Sequence, residues 1–145
     1  MTVELIENAS PELAAAFAKL IPQLSKSTPP MDLEQLTDFL GQDNIYLFGY
    51  FADSNDKREL LGILTLVTFE IPTGWRAWIE DVVVDTAARG QGAGQKLVEA
   101  AIEFAQNLGV KSIDLTSRPS REAANRLYRR CGFAQRETNI YRFQN

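Results

Sequence analysis

The sequence predicts an α/β (α+β) fold in which a mixed, mostly antiparallel central sheet is flanked by helices. The chain has 145 residues, 45% of them hydrophobic, so residues 1–145 are expected to bury one core and form one domain. Three apolar segments separated by turn residues follow one another, as consecutive antiparallel strands do. A long helical pattern then separates the third of these strands from a fourth strand pattern, and such a unit pairs its strands in parallel.

Two helices are predicted before the first of these strands. Ser10 and Pro11 are a favoured cap and first residue for a helix that extends to Pro22. The Ser/Thr/Pro-rich stretch 25–30 is predicted to be a loop. Helical spacing returns over residues 32–40, which indicates a short second helix.

The central strands are predicted from β-branched and aromatic residues. Residues 45–51 and 61–69 form a predicted hairpin across the polar turn 52–59. A third strand runs from Ala77 to Val84. Three antiparallel strands in sequence order are therefore expected.

The last third of the chain is predicted to alternate helices and strands. Apolar residues recur at helical spacing over residues 94–108, and a short buried strand is predicted at 113–116. A further helix is predicted from a Ser120 cap to the glycine at 132. Residues 139–143 are predicted to form a last strand.

Composition excludes several classes of function. The net charge of −4 argues against a nucleic-acid partner, whose phosphates a protein binds with basic residues. The absence of histidine and the single cysteine, Cys131, argue against a metal site and against any histidine-based catalytic relay. No apolar run approaches the roughly 20 residues that span a bilayer, and the N-terminus lacks the layout of a signal peptide. We therefore expect a cytoplasmic protein without a membrane partner.

The strongest chemical signal is a glycine-rich loop between a buried strand and a helix. The strand ends at Val82, Val83 and Val84, and the helix begins within the run Arg89, Gly90, Gln91, Gly92, Ala93 and Gly94. Glycines allow a bulky anion to approach the backbone, and the free N–H groups of a helix N-terminus point at that anion. An ordinary glycine-rich turn is the alternative, but three glycines and an arginine at this position favour a diphosphate cradle.

Two other phosphate-binding loops do not match. The dinucleotide fingerprint requires glycine at the sixth position counted from Gly90, where this chain has Gln95. The Walker loop requires Gly-Lys-Ser/Thr, whereas Gly94 is followed by Gln95, Lys96 and Leu97. The sequence thus predicts a diphosphate ligand that is held by a different pattern.

The order Arg-Gly-Gln-Gly-Ala-Gly resembles the Arg/Gln-x-x-Gly-x-Gly/Ala signature of the GNAT superfamily of acyl-CoA-dependent N-acetyltransferases. Residues 124–133 are similar to that superfamily's downstream helix, in which a tyrosine, here Tyr128, stands four residues before Gly-Phe. The two segments occur in the expected order, so the resemblance covers almost the whole chain.

The resemblance implies a cofactor site. In the family, the strand before the loop splays from the next strand and acetyl-CoA lies in the gap, with a bulge near Glu80 or Asp81 at the start of the splay. The residues implied to bind the cofactor are Val82, Val83, Val84, Arg89, Gly90, Gln91, Gly92, Ala93, Gly94, Ser117, Arg121, Asn125 and Tyr128. At the position of Arg121 many members carry an asparagine instead, so this residue is a departure from the family pattern.

The resemblance also implies catalytic roles. Tyr128 matches the tyrosine that donates a proton to the departing sulfur, a role that suits a phenol with a pKa of about 10. Glu80 is the implied base for the amine, directly or through water, and Asp81 is its rival. The alternatives are a core tyrosine at 128 and a carboxylate at 80 that pairs with Arg76 or another surface cation.

The function implied is direct transfer of acetyl from acetyl-CoA to a primary amine. The acceptor is a small cationic amine or a lysine or N-terminal amine of a peptide, and a homodimer is a further expectation. Two alternatives stay open: a CoA-binding sensor or interaction module without catalysis, and a phosphate-binding nucleotide domain.

Overall fold

The computed structural model describes residues 2–145, so Met1 of the predicted 1–145 domain lies outside the described residues. A five-stranded sheet with the order β1-β2-β3-β4-β5 carries helices on both faces. The strands are β1 (Thr2–Ile6), β2 (Ile45–Ser54), β3 (Lys57–Ile71), β4 (Gly74–Val84) and β5 (Ser112–Asp114), and the helices are α1 (Pro11–Leu24), α2 (Leu33–Leu40), α3 (Ala93–Leu108) and α4 (Glu122–Arg130). Only β4 and β5 pair in parallel, which confirms the predicted mixed fold class.

The core lies on both faces of the sheet because neighbouring residues of a strand point to opposite sides. Leu47 and Ile63 pack with the first two helices, whereas their neighbours Phe48 and Leu64 pack with α3 and Tyr128 of α4. The sheet is thus sandwiched between two helical layers. This arrangement leaves the carboxyl ends of β4 and β5 beside the N-termini of the helices that follow them.

The first helix begins where its capping residue predicts. The Ser10 hydroxyl accepts a hydrogen bond from the Leu13 amide at 3.1 Å, as expected for a helix cap. The predicted end at Pro22 is wrong, because α1 continues to Leu24 and the Ser25 amide closes its last turn on Ile21 O at 2.8 Å. A proline removes a single donor, and the bonds around it hold the helix together.

The hairpin between β2 and β3 is tighter than predicted. Only Asn55 and Asp56 separate the two strands, and both have positive φ angles, 51° and 62°. Asn and Asp tolerate this left-handed conformation better than most residues, and it suits a two-residue hairpin turn. The strands therefore extend into the polar segment 52–59 that composition predicted to be loop.

Two predictions about chain ends are wrong. β1 was not predicted, because five residues of weak alternation give little signal; it pairs with β2 at the edge of the sheet. Residues 139–143 are not a strand, and Ile140, Tyr141 and Phe143 are largely exposed. Their β-forming side chains have no strand beside them, and such propensity reflects packing on a pleated surface more than the backbone itself.

The predicted Ser120 cap of the last helix is also wrong. Arg121 occupies the N-cap position of α4 and makes no capping bond with its side chain. The turn before the helix is closed by Asn125, whose side-chain Nδ2 donates to Arg118 O at 3.0 Å. Within residues 2–145, no helix is both long enough and apolar enough to cross a bilayer.

Candidate active site

The central opening of the sheet arises where β4 parts from β5. The two strands pair only over residues 76–78 and 112–114, and β4 continues unpaired on that side to Val84. On its other side, Glu80 pairs with Thr65 and Val83 pairs with Ile63, so two residues of β4 stand opposite one residue of β3. This is the predicted bulge, and Asp81 within it has a φ of +50°.

A cavity of about 160 Å³ lies at this opening. It brings together the side chains of the bulge and the tyrosine of α4, as the resemblance implied. The lining residues are Leu24, Ile79, Glu80, Asp81, Val82, Leu115, Thr116, Arg121 and Tyr128. An aromatic hydroxyl, two carboxylates and a guanidinium therefore share one small space.

Tyr128 is held rigidly at the wall of this cavity. Its side chain is 8% exposed, and its ring lies edge-on to that of Phe133, with centroids 6.1 Å apart. The Phe133 amide donates to Tyr128 O at 3.0 Å and fixes the end of the helix. Burial raises the pKa of Tyr128, and the nearby Arg121 opposes this effect. The phenol therefore keeps its proton at neutral pH.

Glu80 contributes a carboxylate with a raised pKa to this cavity. Removal from water raises the pKa of Glu80 above its usual value, and the negative charge of Asp81 adds to the effect. The proposed alternative, a pair with Arg76, is not found: Arg76 donates to Thr73 Oγ1 at 3.0 Å. The Glu80 side chain is thus available to the cavity.

The glycine loop adopts the conformations for which it needs glycine. Gly90 and Gly92 have φ angles of +82° and +77°, and a Cβ on either would meet no atom within 4 Å. Gly92 is the N-cap of α3 and has no side chain to bond the first N–H groups of the helix. Gly94 serves packing instead, because a Cβ there would lie 3.0 Å from Leu127 Cδ1.

The sequence of this chain matches the model of the Acetyltransferase (GNAT) family over residues 13–133. The chain belongs to this family. It is an N-acetyltransferase, and the family transfers acetyl groups to amines with acetyl-CoA as the donor. The opening between β4 and β5 is therefore the candidate site of acetyl transfer.

Three similar proteins illustrate the relationship. Glucosamine 6-phosphate N-acetyltransferase 1 of Oryza sativa subsp. japonica is 28% identical over 135 residues, which cover 89% of this chain and 79% of that protein. Aminoglycoside acetyltransferase meta-AAC0020, from an uncultured soil metagenomic sample and solved with trehalose, is 23% identical with a TM-score of 0.81, over 99% of this chain and 95% of that one. AAC(6')-Iy, solved with the bisubstrate analog CoA-S-monomethyl-acetylneamine, is 18% identical with a TM-score of 0.77, over 99% and 97%. The two structures share the fold.

Some of the other predicted cofactor residues line a different cavity. Ser117, Asn125 and Tyr128 line a second, larger cavity of about 1170 Å³ on the α4 side. The Ser117 hydroxyl is buried without a hydrogen-bond partner. One N–H of the Asn125 side chain donates to Arg118 O, so that donor is not available to a ligand. Arg121 lies in the smaller cavity beside Tyr128 and does not line the larger one.

These features fit acetyl-CoA. The unpaired edge of β4 beyond Trp78 offers backbone groups to the amides of a pantetheine arm. The Ser117 hydroxyl lacks a partner, and the glycine turn leaves open space beside Gly90 and Gly92. Because burial and the nearby Glu99 carboxylate raise the pKa of Cys131, its thiol stays protonated and is a poor nucleophile.

Sequence patterns missed three residues that shape the site. Asp85 Oδ1 accepts a hydrogen bond from the Ala87 amide at 3.0 Å at the start of the glycine loop. Lys19 and Gln23 of α1 reach this same segment. An aspartate two residues before a free amide is a recognisable capping pattern, but nothing in the sequence links it to a helix more than 60 residues earlier.

Proposed function

We propose that this protein transfers acetyl from acetyl-CoA to the primary amine of a small molecule by direct attack, with Tyr128 as general acid and Glu80 as general base. The single observation that carries the proposal is that the phenol of Tyr128 and the carboxylate of Glu80 line the same cavity, where β4 parts from β5. An acid and a base that line one cavity are what this reaction needs.

The cofactor is proposed to lie along the opening. The main chain of residues 82–84 and the Ser117 hydroxyl would bind the pantetheine arm, and Asn125 would contribute its free oxygen. The turn from Arg89 to Gly94, including Gln91 and Ala93, would hold the diphosphate with backbone N–H groups and one guanidinium. Acetyl-CoA supplies an acetyl group that its thioester activates.

The base is needed because the acceptor is protonated in solution. An amine with a pKa of about 10.4 is neutral in about one molecule in 10³ at pH 7.4, which corresponds to about 4 kcal/mol. Glu80 accepts one proton from the ammonium, and the neutral nitrogen then bonds to the acetyl carbon. The carbon–sulfur bond breaks, and Tyr128 donates its proton to the sulfur. The second proton that the nitrogen must lose passes through solvent to the Tyr128 phenolate, so that protons and charges balance.

The charge distribution supports a small cationic acceptor. Residues 1–60, which include both helices on the α1 face, carry 10 acidic and 4 basic side chains. Arg121 adds a positive charge to the cavity, where an anionic group on the acceptor would be accommodated. The amino sugar phosphate in the name of the rice relative has both features. A lysine or N-terminal amine of a peptide is the competing acceptor, and the cytoplasm is the proposed location.

The proposal is tested by release of free CoA thiol. The protein is incubated with acetyl-CoA and with glucosamine 6-phosphate, glucosamine, 2,4-diaminobutyric acid or a lysine peptide, and calorimetry measures the binding of CoA. We expect CoA to bind and at least one small amine to release thiol. CoA binding without any thiol release would favour the sensor, and thermal stabilisation by ATP or NAD but not by CoA would favour the nucleotide domain.

Gly92 provides a test of the diphosphate cradle. Gly92→Ala is expected to raise the Kd of CoA about tenfold and to lower the free energy of unfolding by about 1 kcal/mol, because an L residue is strained at positive φ. Gly109→Ala is the matched control, since Gly109 has a φ of +87° and open space at the other end of α3. Calorimetry and denaturant titration measure both quantities. Equal changes in Kd for the two variants would contradict the cradle.

The proposed homodimer is tested at the C-terminal segment. Tyr141 and Phe143 are 88% and 93% exposed, and large apolar side chains in this state favour association. We expect Tyr141→Ser with Phe143→Ser to raise the dimer dissociation constant at least tenfold by sedimentation velocity. Lys26→Ser with Glu70→Ser, at two exposed polar positions elsewhere, serves as the control. A dimer unaffected by the first pair would place the interface elsewhere.

A further inference from the structure

The segment between β4 and the glycine loop is fastened to α1 by two contacts that the proposed chemistry does not use. Lys19 Nζ lies 3.1 Å from Asp85 Oδ2, and the Thr86 amide donates to Gln23 Oε1 at 3.1 Å. Lys19 and Gln23 are four residues apart and therefore lie on the same face of the helix. Their two partners are adjacent in the chain, so one face of α1 contacts the start of the glycine loop at two successive residues.

Asp85 is the buried member of this cluster. It is 3% exposed, its Oδ1 accepts from the Ala87 amide at 3.0 Å, and its own amide donates to Leu61 O at 2.7 Å. The Ala87 amide and, after it, Lys19 keep the pKa of Asp85 below its ordinary value against the opposing effect of burial. The carboxylate is therefore charged at neutral pH, and Lys19 is the cation that neutralises it.

The cluster decides where the glycine turn begins. Asp85 caps the short 3-10 turn Thr86–Ala88, and Arg89 follows it directly. Backbone N–H groups bind an anion only when the loop that carries them has one shape. Because the Asp85 amide and its carboxylate are both engaged, the direction in which the chain enters the turn is set by β3 and α1.

We propose that Lys19 and Gln23 are positioning residues, which hold the segment from Asp85 to Gly92 in the conformation that binds a diphosphate. The inference rests on the proposed function in one respect, namely that this turn binds the diphosphate of CoA. Leu24, the residue after Gln23, lines the cavity that contains Glu80. The helix that holds the cofactor loop therefore also forms a wall of the catalytic cavity.

The test compares Lys19→Met and Lys19→Arg with Glu59→Gln. Glu59 is the second partner of Lys19, at 3.5 Å, and its replacement leaves the contact with Asp85 in place. Lys19 is exposed, so these variants are expected to fold. Calorimetry gives the Kd of CoA, and amide exchange followed by mass spectrometry compares residues 85–92 with residues 97–105 of α3, well below the unfolding midpoint.

We expect Lys19→Met to raise the Kd of CoA about tenfold and to speed amide exchange in residues 85–92 but not in α3. Lys19→Arg and Glu59→Gln should stay within about twofold of the unmodified protein. The inference is overturned if Lys19→Met binds CoA normally, or if exchange speeds up equally in both segments, since the pair would then serve only overall stability. Failure of the unmodified protein to bind CoA would instead overturn the proposed function, and the inference with it.

Discussion

Tyr128→Phe is expected to lower kcat by roughly 10- to 10⁴-fold while the Kd of CoA changes by less than about twofold. The substitution removes the phenolic hydroxyl from the cavity and leaves the packing of the ring against Phe133 intact. Without it, the sulfur departs as a thiolate that no side-chain acid protonates. Steady-state kinetics with acetyl-CoA and calorimetry with CoA measure the two quantities.

A second phenol controls for the loss of a hydroxyl. Tyr46 packs against Phe104 with ring centroids 4.6 Å apart and lines neither cavity. Tyr46→Phe should leave kcat within about twofold. If Tyr128→Phe keeps full turnover, the phenol is not the acid. If CoA binding is lost together with kcat, Tyr128 contributes to cofactor binding, and the loss of kcat does not identify it as the acid.

Glu80→Gln is expected to lower kcat/KM roughly 100-fold near neutral pH, because the amide cannot accept the proton of the amine. The effect depends on pH. The active base is the carboxylate, which exists above its pKa, and burial with Asp81 raises that pKa above 4.5. Activity should therefore begin to fall at a higher pH than for an ordinary glutamate. The phenol of Tyr128 acts while protonated, and its raised pKa keeps the alkaline limb above pH 10.

The pH profile distinguishes Glu80 from its neighbour. In Glu80→Gln, the acidic limb due to the carboxylate should vanish and leave only the ionisation of the amine itself. Asp81→Asn should keep that limb, although removal of the neighbouring charge should move it to lower pH. A larger loss of kcat/KM in Asp81→Asn than in Glu80→Gln would indicate that Asp81, and not Glu80, is the base. Rates measured from pH 5 to 10 with one acceptor decide between them.

Local signals in the sequence predicted most of the elements that surround the candidate site. The glycine run, the valines before it and the tyrosine before Gly-Phe depend on neighbours within about ten residues, and the structure brings Tyr128 and Glu80 to one cavity. Helix caps and turn residues act over the same short range, which explains why most elements were predicted within a few residues.

Long-range packing explains what the sequence did not predict. The contact of Gln23 with Thr86 joins residues 63 apart, and no spacing rule connects a helix face to a distant loop. The tail around Tyr141 has strand-forming residues, but whether they pair depends on a neighbouring strand. The resemblance implied that Arg121 binds the cofactor, at a position where many members carry an asparagine, and the fold directs it into the cavity beside Tyr128.

The early parting of β4 and β5 is also expected to make the protein sensitive to proteases in a ligand-dependent way. Three residue pairs join these strands, and the chain from 115 to 121 follows without regular structure. Segments of this kind open locally at low free energy and are cleaved first. A molecule bridging both sides would raise the free energy of that opening in proportion to the logarithm of its concentration over its Kd. Limited proteolysis therefore measures how much of the protein has bound ligand, without the need for an acceptor amine.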